Sequence, residues 1–272
     1  MTPTWHSEHL FSLSTEAREE TATGAEAGDP MFGFFQDATS SSLILGLHSW
    51  QCFAITLDGG ERQSVKKRSM LAFELEDILP CDGEDLAIHR HGSREHELVL
   101  ASEATHLIPV IEAVEESGIY VRAISPLVFL ALDELASRHQ SLEGIDLLLW
   151  AGDLGIDAVW FRDGDVYRWE WLPLDDQVSL EGAIDRTEEE SPRITAIGIA
   201  PGKLEFAENA EIQHFEFDCV ELASTQAQRI VDGRANPNVD LREGPLEVQN
   251  RYVPIARSLG FAAAAFLLLQ AA

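Results

Sequence analysis

Three groups of residues have types and spacings that invite a chemical reading. His89, His91 and His96 are close enough in sequence to suggest a metal site. Glu74, Glu76 and Asp77, and the run Glu188-Glu189-Glu190, gather carboxylates as acid–base or metal sites do. His48 and Ser49 supply a base and a nucleophile side by side. Each has a plainer account. Pairing Leu86 with Leu100 and Ile88 with Leu98, in a hairpin about Gly92, puts apolar side chains on one face. That register sets His89 opposite Glu97 and His91 opposite Glu95, which are ordinary cross-strand charge pairs. Solvated faces account for the two acidic runs, although the first flanks an amphipathic helix that a partner with basic grooves can use. His48 and Ser49 follow one another on a strand, so their side chains point to opposite faces. The chain has no GxxxxGK[ST] and no GxSxG. The sequence therefore assigns no catalytic, cofactor-binding or metal-ligating residue.

Bulk properties narrow the function classes. A chain of 272 residues can bury a sizeable core in one large or two small domains. The net charge of -28 argues against nucleic acid, whose phosphates would be repelled. Lys66, Lys67 and Lys203 are the only lysines, so the acidic surface suits salty surroundings, a basic partner or plain solubility. Cys52, Cys81 and Cys219 are odd in number and lack a CxxC, which fits reduced thiols. No basic segment followed by an apolar run opens the chain, so no signal peptide is expected.

The elements that must position these residues follow from periodicity. Residues 1–40 read as a disordered acidic leader, because they offer little apolar surface to offset ordering entropy; the cluster Met31 to Phe35 is an exception that can dock. Strands are expected at Leu43–His48 and Cys52–Leu57, then a helix over roughly Gln63–Leu79 with Met70, Leu71, Leu75, Ile78 and Leu79 inward and Pro80 as its stop. After the histidine hairpin come a helix from His106 to Ser117 and a strand at Tyr120–Ile124. A second helix is opened by Ser125 as cap and Pro126 as first residue. Further strands are expected at Asp146–Trp150, Ala158–Phe161 and Val166–Trp171, the last two joined at Asp163-Gly164. Residues 175–192 read as an acidic loop, followed by strands at Ile194–Ile199 and Phe215–Phe217 and a helix over Val220–Val231. This order gives a mixed sheet flanked by helices. Trp150, Trp160, Trp169 and Trp171 are expected in the core and on an exposed sheet face, where Trp169, Trp171 and Tyr167 would form an aromatic strip.

The end of the chain has a different character. Leu259 to Ala272 carries no charge and follows Arg229, Arg234, Arg242, Arg251 and Arg257. A spanning helix needs about 20 apolar residues, so the run reads as the start of a transmembrane helix, or as a docked core helix. Arg251 and Arg257 flank it on what the positive-inside rule makes the cytoplasmic side.

Three stretches together resemble the cytoplasmic part of the type II secretion system protein L family (GspL-like). They are Met70 to Leu79 followed by Glu84 to Ile88; His106 to Gly118 followed by Val121 to Leu132; and Asn238 to Leu246 leading into Arg251, Arg257 and the apolar tail. The resemblance implies an α/β, actin-like (ribonuclease H-like) cytoplasmic domain over residues 41–225, in subdomains of about 41–140 and 141–225. A basic juxtamembrane segment, 226–257, and the start of a transmembrane helix, 258–272, would follow. It also implies an inner-membrane, single-pass assembly platform that docks the secretion ATPase, pairs with a single-span membrane partner (GspM-like) and forms a homodimer. The type IV pilus pair of an actin-like protein and its membrane partner is similar. Glu74, Glu76 and Asp77, with Glu188, Glu189 and Glu190, are the expected partner-binding residues.

An actin-like fold also raises an enzyme reading. Its working nucleotide sites need an acid and then a small residue after the first strand. Here Leu45-Gly46-Leu47-His48-Ser49-Trp50 places histidine and tryptophan at those positions. Gly152-Asp153-Leu154-Gly155 is a partial echo of the second phosphate turn, and Ala200-Pro201-Gly202-Lys203 lies near the place where adenosine touches. The expectation is a non-enzyme without a cofactor. The alternative is a membrane-tethered nucleotide-binding protein with weak ATPase activity.

Overall fold

The computed structural model describes residues 32–35, 42–58, 68–92, 96–139, 144–152, 154–174, 176–187 and 189–247. Eleven strands among them form three sheets. The first sheet has the order β1-β2-β6, with β1 at Phe32–Phe35, β2 at Ser42–Leu47 and β6 at Tyr120–Pro126. Its central strand β2 is a continuous apolar run, buried from Leu43 to Leu47 because both faces of the sheet are covered. The second sheet is a three-stranded antiparallel unit, β3-β5-β4, from Phe53–Asp58, His96–Glu103 and Leu86–Gly92. The third has five strands in the order β11-β10-β7-β8-β9. They are β7 (Leu147–Ala151), β8 (Gly155–Arg162), β9 (Asp165–Pro173), β10 (Arg193–Ile197) and β11 (Glu211–Phe215). Antiparallel β7–β8–β9 thus continues through the parallel neighbours β10 and β11.

Two helices cement these sheets. α3 (Leu127–His139) follows α1 (Arg68–Glu76) and α2 (Ala104–Glu116) in the chain, and its first two turns are apolar all round. Every residue from Leu127 to Leu132 is buried, as such a helix must be. It packs along α5 (Cys219–Val231), whose buried face is Leu222, Ala223, Gln226, Ala227 and Ile230. Ala223 and Ala227 stand one turn apart and let the two backbones approach. Asp218 caps α5 by accepting from the amides of Val220 and Glu221 at 2.8 and 3.3 Å. One large core joins β2, β6, α3 and α5 to Trp150, Val159 and Trp169 of the five-stranded sheet. A second core lies on the opposite face of that sheet, and a third lies between α1 and the β3-β5-β4 unit.

Most expected elements appear, and the departures have physical causes. The aromatic cluster at Phe32–Phe35 docks as β1, antiparallel to β2. α1 spans Arg68–Glu76, and only Leu71 and Leu75 of its expected inward set are fully buried; Met70 and Ile78 are 52% and 54% exposed. The hairpin register is shifted by three residues. Leu86 faces Glu103, His89 faces Leu100 and His91 faces Leu98. Leu98 to Ala101 is buried on both faces, with alternate residues entering different cores, so the one-face rule behind the expected register does not apply. Ser125 and Pro126 end β6 instead of opening the helix. Part of the expected loop 175–192 is α4 (Gln177–Asp185), capped by Asp176 through the amide of Ser179 at 3.2 Å. Trp160 pins α4 by donating its indole N–H to the carbonyl of Ala183 at 3.1 Å. The last strand lies at Glu211–Phe215, upstream of the expected Phe215–Phe217. The leader before Phe32, Arg251, Arg257 and the apolar run from Leu259 lie outside the described residues. No helix among those described is long and apolar enough to cross a membrane.

Candidate functional site

The first candidate is the seam where the two parts of the large core meet. The turn after β2 brings Ser49 there, buried, with its hydroxyl bonded to the carboxylate of Asp157 on β8. Asp157 also accepts from the indole N–H of Trp169 at 2.9 Å. Burial nevertheless pushes its pKa up to about 6 against the pull of these two donors. His48 takes no part. It stacks on Trp50 at 6.3 Å, and Trp50 is 44% exposed. Ser49 is therefore paired with an acid, with no histidine as a third member. Cys52 and Cys219 also adjoin the seam, and burial, with the charge of Asp157 adding to it, pushes both thiols far up. They stay protonated and are poor nucleophiles.

Aromatic rings fill the space beyond. Trp169 meets Phe129 of α3 edge-on at 5.3 Å, and Phe129 meets His91 of β4 at 5.5 Å. Burial lowers the pKa of His91. Thr56 of β3 donates to the carbonyl of Tyr167 on β9 at 2.9 Å. The expected strip of Trp169, Trp171 and Tyr167 is thus not one free surface: Trp169 is buried in the large core, Tyr167 packs against the second core and only Trp171 is exposed, at 38%, while Trp150 and Trp160 are buried. Trp171 in turn covers the glycine turn. A Cβ on Gly155 would lie 2.3 Å from its indole nitrogen. At the neighbouring strand end Gly198, with φ +68, brings its Cα side to 3.3 Å from the carbonyl oxygen of Ala151, measured from where a Cβ would sit. Only glycine adopts that backbone readily. Asp153 lies outside the described residues.

The histidines of β4 serve the fold. His89 donates from Nε2 to the carbonyl of Asn238 at 3.0 Å, and His91 packs on Phe129. Among the described residues no three His, Cys, Asp or Glu side chains converge as a metal site.

The acidic residues occupy two separate elements. Glu76 and Asp77 are exposed at the end of α1. Glu74 is half-buried, and one of its carboxylate oxygens is enclosed with no donor among the described residues. Glu189 and Glu190 are exposed just before β10, and Glu188 lies outside the described residues. Glu189 borders an open cavity with Arg162, Tyr167, Asp146 and Arg193, where Arg193 pairs with Asp146 at 3.0 Å.

Sequence reasoning missed a third feature, the strap formed by residues 236–247. Val239, Leu241 and Leu246 are buried in the large core. The amide of Leu241 donates to Ile124 of β6 at 2.7 Å, and Asp240 accepts from the Ile124 amide at 3.1 Å. Asp133 of α3 accepts from the amide of Asn238 at 3.2 Å; burial raises Asp133 to about 6 although these bonds pull it down. Arg242 is buried, bonds to the carbonyl of Val121 and to Glu115, and lies over the ring of Tyr120. Arg229, also read as flanking a membrane, pairs with buried Glu134 at 3.0 Å. The available signal was the alternation Val239-Asp240-Leu241, which is that of a strand-like segment.

The architecture is mixed α/β, with three sheets and a central helix pair. It is similar to the cytoplasmic domain of EpsL, an inner-membrane component of the type II secretion system of Vibrio cholerae: TM-score 0.52 and 16% identity, over 76% of this chain and 79% of that one. The likeness is one of fold, and the sequence resembles the same family. A PilM-PilN type IV pilus biogenesis complex matches at a TM-score of 0.45 and 12% identity, over 72% and 79% of the chains. A Bacteroides thetaiotaomicron protein with an actin-like ATPase fold matches at 0.43 and 11%, over 65% and 71%. No known family profile matches the chain, and no curated protein does.

Proposed function

We propose that this chain is the cytoplasmic part of an inner-membrane assembly platform in a type II secretion or type IV pilus-like machine. Its task is to dock the secretion ATPase to a membrane complex that includes a single-span partner. The observation that carries this reading is the shared fold with the cytoplasmic domain of EpsL over most of both chains. The residues of the seam and of the glycine turn support a platform over an enzyme. Ser49 is tied to Asp157, Trp171 lies over Gly155, and aromatic rings occupy the seam. A nucleotide would have to displace them. The test is capture of the purified N-terminal region of a secretion ATPase by the full chain. Binding is the expected result, and its absence with every such ATPase of the same organism removes the platform.

One observation favours a second reading, in which the chain binds a nucleotide. The turns at Gly152 and Gly198 stand side by side at the ends of adjacent parallel strands β7 and β10, where such folds meet ligands. Under the platform reading the chain shows no magnesium-dependent ATP hydrolysis. Turnover abolished by Asp153→Asn would promote the second reading.

A further inference from the structure

α1 turns only part of its apolar surface inward. Leu71 and Leu75 are buried against the β3-β5-β4 unit, whereas Met70 is 52%, Phe73 70% and Ile78 54% exposed. Met70 and Phe73 are neighbours at i and i+3 on the outer face, and Ile78 follows just past the helix end. Three large apolar side chains in one short stretch mark a contact surface, where scattered ones would not.

The rim of this ridge is acidic and fixed. Glu76 and Asp77 stand at i+3 and i+4 from Phe73, and Asp82 and Glu84 are exposed on the turn that packs against α1. That turn approaches so closely that a Cβ on Gly83 would meet the carbonyl oxygen of Ala72 at 2.4 Å. Lys66, Lys67 and Arg68 come before the ridge in sequence, and from Ser69 to His89 there is no lysine or arginine among these carboxylates.

The charge decides the occupant. An anionic lipid surface and a nucleic acid are repelled by such a rim. A second copy related by a two-fold axis would bring the same carboxylates against themselves. We infer that the ridge of Met70, Phe73 and Ile78 is a docking site for a basic amphipathic helix of a partner protein. The partner's apolar residues at i, i+3, i+4 and i+7 cover the ridge while its lysines and arginines meet the rim. This deepens the platform reading and rests on it for the identity of the partner, but not for the chemistry of the site. Phe73 is the anchor and the carboxylates set selectivity and rate.

The probe is a synthetic helical peptide of leucine and lysine in that spacing, titrated against the full chain by fluorescence anisotropy. A glutamate-for-lysine counterpart is the control. Phe73→Ser should weaken the lysine peptide about tenfold, as loss of an anchor does. Glu76→Lys with Asp77→Lys should weaken it and flatten its salt dependence. Glu205→Lys with Glu216→Lys, two exposed acids outside α1 and its turn, should leave it unchanged. All these side chains are exposed, so an unchanged melting temperature verifies the fold of each variant. Equal binding of the glutamate peptide, or indifference to Phe73→Ser, overturns the proposal. The same variants are then tested for ATPase capture. Capture that ignores the α1 variants keeps the platform and removes this site from it. Peptide binding that needs Phe73, without any ATPase capture, keeps the site and removes the platform.

Discussion

Asp157 shows how a single buried carboxyl can set the response of the fold to pH. Its pKa stands near 6 in the folded chain, against about 3.9 in an unfolded one. The folded state therefore holds the proton more tightly. The stability this provides is complete below about pH 4 and is lost as the pH rises through about 6. Asp133 acts in the same direction, whereas Asp146, Asp176 and Asp232 are shifted down and act oppositely. The clean measurement is the difference between wild type and Asp157→Asn in urea unfolding across pH 4 to 8. Asparagine can still accept from Trp169. The variant should gain on the wild type by about 2 kcal/mol between those limits, and a constant difference would contradict the assignment. Arg242 makes the opposite case, a buried charge held by acceptors. Arg242→Leu takes the donor from the carbonyl of Val121 and the counter-charge from Glu115, and should cost about 2 kcal/mol in the same assay.

At the scale of elements, α4 rests on its cap and on one indole bond. Asp176→Ala should cost about 1 kcal/mol, read as a fall in melting temperature. Gly155→Ala should cost more, about 2 kcal/mol, because a Cβ there would meet Trp171 and the backbone oxygen of Leu172. These two elements also mark the limit of what the sequence discloses. β2, α3 and the turn at Asp163-Gly164 were legible because each carries a strong local signal: a pure apolar run, an apolar helix, and two residues that accept the positive φ of 55° and 85° found there. α4 was not, since its two fully buried residues Leu180 and Ala183 sit among acids and gain their partners from a distant strand. The hairpin register failed for the same reason: only the third dimension reveals that β5 is covered on both faces. The aromatic strip failed because alternation assumes a regular strand: a bulge at Tyr167 turns its ring to the second core while Trp169 enters the large one, and alternation cannot tell what a face meets. The acidic run of α1 was visible in sequence, but Met70 and Ile78 share the helical spacing of buried Leu71 and Leu75, and only packing shows that they point out beside Phe73.

On the scale of the molecule, the platform reading puts Arg251 and Arg257 on the cytoplasmic side of a membrane. Under the platform reading, a reporter fused to the N-terminus is active in the cytoplasm and silent outside it. A reporter active only outside the inner membrane would reverse the orientation. ATPase capture should slow with added salt, because complementary charge acts mainly on the rate of encounter within about 8 Å at physiological ionic strength.

The strap at residues 236–247 also makes the domain a mechanical object. Tension applied beyond Glu247 is met first by the buried wedge of Leu246, next by Arg242 and Leu241, and only then by α5. The Leu241 amide hands that load to Ile124 on β6, which lies beside β2 in the middle of its sheet. A pull from the C-terminal side thus enters the sheet through its edge strand β6 and the large core behind it. Yielding begins as a peel of the strap, one anchor at a time, with the sheets still intact.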